Sequence, residues 1–111
     1  MSSRWALFAA MAIAGCGKLL GPPVTCTVEP MPPTPWGEER PDHRDIVCTA
    51  EKALKTYRVH IEYEDHFGPR SEHFGHHGVD EGEVDHHTDV EVGSVVTIEV
   101  EGYRNRRFTV R

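Results

Sequence analysis

Tyr57-Arg58-Val59-His60-Ile61-Glu62-Tyr63-Glu64 decides the fold class. Apolar or aromatic residues at 57, 59, 61 and 63 alternate with polar ones at 58, 60, 62 and 64. A period of two over this length marks a strand with one face in a core and one in water. The same rhythm recurs toward the C-terminus. Val96, Ile98 and Val100 alternate with Val95, Thr97, Glu99 and Glu101, and Phe108 and Val110 with Arg107, Thr109 and Arg111. The stretch from Glu101-Gly102 to Arg106 supplies a turn between them, so these two segments are expected to form a hairpin. On the N-terminal side, residues 24–28 and 45–49 read as strands, and 89–92 as a shorter run ended by Gly93-Ser94.

Composition supports the periodicity. Residues 24–111 hold twelve Val, three Ile and a single Leu, Leu54. β-Branched side chains suit a pleated, half-buried surface, whereas helical domains lean on Leu and Ala. Only residues 50–55 (AEKALK) favour a helix; they form a turn or two behind Thr49 as N-cap, or else continue the preceding strand. The expected fold is mainly β: a small antiparallel β-sandwich or barrel of about six strands following an N-terminal signal peptide. The segment 90–98 is similar to the strand–glycine turn–strand unit of immunoglobulin-like and transthyretin-like sandwiches.

The N-terminus has a different character. Residues 1–16 read MSSRWALFAAMAIAGC, with one positive charge at Arg4 and an uninterrupted apolar stretch over 5–14. That stretch is too short to span a bilayer and suits the apolar region of a secretory signal. Ile13-Ala14-Gly15-Cys16 resembles the lipobox of bacterial lipoproteins. The resemblance implies cleavage before Cys16 and acylation of its thiol. It divides the chain into a signal peptide at 1–15, a lipidated cysteine and tether at 16–23, and a β-domain at 24–111. Two or three acyl chains hold a protein stably where one does so marginally. Gly17, in place of Asp, points to the outer membrane by the enterobacterial sorting pattern. The expected location is thus the bacterial cell envelope, facing the periplasm or on the cell surface.

Three cysteines is an odd number for an exported chain. Acylation of Cys16 removes one, leaving Cys26 and Cys48 to pair in a compartment where disulfides persist. Residues 29–44 (EPMPPTPWGEERPDHR) hold a run of prolines and are expected as an extended or turn-rich loop between the cysteine strands. Trp36 within it either covers an edge of the core, the favoured reading, or stands exposed as a contact residue.

Seven of the eight His lie between His60 and His87. The window 60–91 carries ten acids against one Arg, and residues 64–88 also hold four Gly. Such a segment is expected as a long loop, functional or disordered. Imidazole and carboxylate are ligands for Zn, Cu and Ni. The candidate ligands are His73, His76, His77, His86 and His87, with Asp85 and Asp89 as carboxylate ligands or partners of the imidazoles. On a strand, His86 and His87 would point to opposite faces, so only one of them joins a given site. The competing reading is a solvated polar loop with no metal role.

Other chemistry is poorly represented. A formal charge of −6 argues against nucleic-acid binding. His60, Asp65 and Ser71 occur without a motif that brackets a nucleophile, and no phosphate-binding glycine loop is present. Arg104, Arg106, Arg107 and Arg111 read as a solvated turn and strand, or as partners of the acidic segment or of anionic headgroups. The expectation is a binding or structural module, not an enzyme, attached to the membrane by lipid with an envelope protein as partner. The alternative is a periplasmic protein binding Zn, Cu or Ni.

Overall fold

A computed structural model of the chain describes residues 20–111. The signal peptide expected at 1–15, Cys16 and the first part of the tether lie outside the described residues. The domain has seven strands: β1 (Val24–Pro30), β2 (His43–Ala50), β3 (Leu54–Asp65), β4 (Gly68–Val79), β5 (Val84–Glu91), β6 (Val95–Val100) and β7 (Arg106–Thr109). They form two antiparallel sheets, β1-β2-β5 and β4-β3-β6-β7. The chain is mainly β, and residues 50–55 hold no helix: β2 ends at Ala50 and β3 begins at Leu54.

Alternation builds the core as expected. On β3, Tyr57, Val59 and Ile61 are buried, while Arg58 and Glu62 are exposed. On β6, Val96, Ile98 and Val100 are buried. Ile46, Cys48 and Ala50 of β2 join Val24 of β1 from the opposing sheet, and Val110 closes the group behind β7. β6 and β7 pair antiparallel from Val95↔Thr109 to Ile98↔Arg106, the expected hairpin. Cys26 and Cys48 are bonded and stand directly opposite each other in the β1–β2 register. Their bridge lies on the core-facing side of one sheet, in the same row as Asp85 of β5.

Two expectations are corrected. The segment 64–88 is not a long loop but chiefly two strands. β4 pairs with β3 from Leu54↔Val79 to Asp65↔Gly68, with a tight turn at His66-Phe67, and β5 covers Val84–Glu91. β4 is an edge strand exposed along most of its length, so backbone pairing to β3 holds it without an apolar alternation. Trp36 does not cover the core: it is 76% exposed. Its loop is folded on itself by Thr34–Glu38 backbone bonding, and the indole Nε1 donates to Glu38 Oε2 at 3.0 Å. The end of the tether packs on the domain. Pro22 is buried, and the Leu20 carbonyl accepts from the Arg104 amide at 2.9 Å.

The two sides of the sandwich are closed differently. Where β1 faces β7, Arg106 reaches across and donates to the carbonyls of Val24 (2.6 Å) and Pro22 (3.1 Å). One member of the terminal arginine cluster is thus a strap between sheets rather than a solvated residue. On the other side the edge strands β4 and β5 diverge, and a cleft of about 510 Å³ opens between them.

Candidate metal centre

Strand parity selects which side chains enter the cleft. Directly paired residues of antiparallel strands share a face. His76 pairs with core-facing Tyr57, and Phe74 with core-facing Val59, so both point between the sheets. His73 pairs with His60 and His77 with Thr56, on the outer face. On β5, Asp85 pairs with Cys48 and His87 with Ile46, both core positions. His86 pairs with the outward Val47 and sets Nδ1 3.3 Å from Asp45 Oδ2 on the outer face.

A β-bulge follows immediately. Arg44 faces Val90 and Ile46 faces His87, so Thr88 and Asp89 together oppose Asp45. Asp89 has φ +61°, the left-handed conformation that one bulge class requires. The extra residue resets the parity of β5. Val90 returns to the core, while Asp89 is carried to the rim of the cleft, 3.7 Å from Arg40. Of the seven candidates named from sequence, then, His73 and His77 lie on the outer face, and His86 and Asp89 reach only the rim of the cleft.

His76, Asp85 and His87 are. One nitrogen of each His and one carboxylate oxygen all lie within 4.8 Å of one another. Nε2 of His76 is 2.9 Å and Nε2 of His87 2.5 Å from the same oxygen, Asp85 Oδ2. Neither approach has the angles of a hydrogen bond, and both nitrogens are sealed from solvent without a hydrogen-bond partner. The His87 side chain is only 5% exposed. A buried polar atom left unpaired costs on the order of 1–3 kcal/mol, so two at one point call for a further partner. In tetrahedral zinc sites bonds of about 2.0–2.1 Å hold ligand atoms a little over 3 Å apart; the two nitrogens here lie somewhat closer to the carboxylate oxygen than that, so an ion would spread the three ligands slightly. Two imidazoles and a carboxylate suit Zn, Cu(II) or Ni(II).

The sequence reasoning missed the groups that support these three. Tyr57, buried on β3, donates from its hydroxyl to Asp85 Oδ2 at 3.4 Å, and its ring stacks on His76 with centroids 4.6 Å apart. Burial, with the nearby Asp85 charge adding to it, pushes the Tyr57 phenol well above its ordinary range, so it stays a donor. Phe74 packs against the His87 ring at 4.7 Å. Tyr57 and Phe74 thus fix the orientation of ligands that come from different sheets. The alternation of β3 marked Tyr57 as inward; its partner across the sandwich had no sequence signal.

The chain matches no family model, no curated protein and no solved structure. Function must therefore be argued from the site itself.

Proposed function

We propose that this chain is a lipid-anchored protein of the bacterial cell envelope whose β-domain binds one transition-metal ion through His76, Asp85 and His87. The observation that carries the metal reading is the convergence of three ligand atoms, two of them solvent-sealed nitrogens without hydrogen-bond partners, on one point between the sheets. Anchoring rests on the lipobox-like Ile13-Ala14-Gly15-Cys16, and the bonded Cys26–Cys48 pair agrees with an oxidising compartment. Zn, Cu(II) and Ni(II) are the candidate ions. The immunoglobulin-like resemblance is supported by the packing of β1-β2-β5 on β4-β3-β6-β7. That order differs from an antibody constant domain in the sheet to which the fourth strand belongs.

The test is calorimetric titration of the untagged full chain, in detergent, with Zn, Cu(II) and Ni(II). One ion per chain is expected, lost in His76→Ala and His87→Ala and kept when His73, His77 and His86 are replaced together. Binding that follows the number of histidines rather than their position overturns the reading.

A second reading, an interaction module held at the envelope, is favoured by two exposed aromatics. Trp36 (76% exposed) and Phe67 (74%) stand at the end of the sandwich opposite Leu20, where the chain enters. It predicts a protein partner recovered by crosslinking at these residues, with or without metal.

A further inference from the structure

His76 and Asp85 are each about a quarter exposed, so the site borders the cleft although its nitrogens are covered. His76, Asp85 and His87 all line its wall, so an ion held by them faces a space of about 510 Å³. That volume lies within the range of small-molecule sites. Structural zinc sites are closed by four protein ligands; sites with three that face open space keep an exchangeable position. The cleft therefore decides what completes the coordination.

Its charge is one-sided. Glu72, Asp85, Asp89 and Glu91 line it, and no Lys or Arg among the described residues does. Arg40 approaches Asp89 from outside the lining, at 3.7 Å. An anion entering this space meets like charges in a partly desolvated setting, where Coulomb repulsion is screened less than in water. A neutral nitrogen donor carries no such penalty and is a good ligand for these borderline ions. Phe74, Tyr63 and Ile61 give the cleft an apolar wall against which a flat ring can lie.

We infer that the fourth position is filled from the cleft by a small nitrogen donor of the imidazole or amine class, so that the protein holds its ion as a mixed complex. The inference rests on the metal reading above. Glu72 and Glu91 act by excluding anionic competitors; neither belongs to the ligand set.

The experiment loads the full chain with one equivalent of Cu(II) and titrates it separately with imidazole and with azide. Visible absorption and electron paramagnetic resonance are recorded. Imidazole is expected to saturate at one equivalent, move the d–d band to higher energy and add a third nitrogen to the two from His76 and His87. Azide is expected to give its charge-transfer band only weakly in the native chain. In the Glu72→Gln/Glu91→Gln variant azide should bind about tenfold more tightly, the order expected for removing two charges from the cleft wall at a dielectric between those of protein and water, while imidazole binding stays unchanged. Copper that binds but ignores imidazole overturns the inference alone, because the position is then closed by the protein. Azide that binds the native chain as well as the variant also overturns it. Failure to bind copper before any ligand is added overturns the metal reading and this inference together.

Discussion

Metal binding should raise the melting temperature, and the pattern across variants should separate a built site from a histidine-rich composition. His76 belongs to the β4-β3-β6-β7 sheet, while Asp85 and His87 belong to the β1-β2-β5 sheet. An ion on all three ties together the two edge strands where the sandwich is open, and favours the folded state. A ligand bound only by the native state at a hundred times its dissociation constant stabilises by about 2.7 kcal/mol. For a domain of this size each kcal/mol moves the midpoint by roughly 4–8 °C, so the ceiling is a rise of about 10–20 °C. The unfolded chain lowers it. His76, Asp85 and His87 lie close together in sequence, with His73, His77 and His86 beside them, so the denatured segment should also compete for metal.

The decisive comparison is made within each variant, with and without zinc, by differential scanning calorimetry or the loss of far-ultraviolet circular dichroism. His87→Ala should lower the metal-free midpoint, because the ring is buried against Phe74, and should abolish the zinc-dependent rise. His76→Ala should abolish the rise as well. Replacing His73, His77 and His86 together by Gln should preserve or slightly enlarge it, since those residues would compete for metal only in the unfolded chain. A rise that survives in His87→Ala and vanishes in the triple variant would refute the argument from strand parity.

Replacing Cys26 and Cys48 by Ser should cost about 3 kcal/mol, from the entropy of a loop closed over a sequence separation of 22 residues; urea unfolding under non-reducing conditions reads it directly. Tyr57→Phe should flatten the alkaline limb of stability. The folded phenol titrates above its unfolded value, so above about pH 10 the unfolded state alone loses the proton and native stability falls by up to about 1.4 kcal/mol per pH unit. Urea midpoints from pH 8 to 11 should fall less steeply in the Phe variant, and equal slopes would show that Tyr57 ionises freely in the folded chain. Cys16→Ser should move the protein from the membrane fraction to the soluble periplasm; retention in the membrane would remove the lipid anchor.

What could be read from the sequence follows from burial. β3 and β6 sit in the middle of a sheet with one face in the core, so burial imposes period two on their residues. β4 lies at an edge above an open cleft. Its inward residues Arg70 and Glu72 are exposed there, and nothing forces them to be apolar. Composition therefore suggested a loop where backbone pairing makes a strand. β5 was hidden for a second reason. The bulge at Thr88-Asp89 breaks its alternation, so His87 and Val90, three residues apart, both face inward.

Strand parity, which separates His86 from His87, also divides the histidines of β4 once that segment is taken as a strand. It sends His76 inward, and His73 and His77 outward. What remains is a conflict between pattern and chemistry. Asp85 occupies the row of the Cys26–Cys48 bridge, His87 the row of Ile46, and His76 the row of Tyr57 and Val100. Each is a polar residue at a position where a sandwich of this size needs an apolar one, and each departure costs stability in the absence of a partner. Three such departures at one point, on two strands from different sheets, are hard to account for as surface composition. They are accounted for if the stabilisation lost from the core at that edge is supplied by an ion.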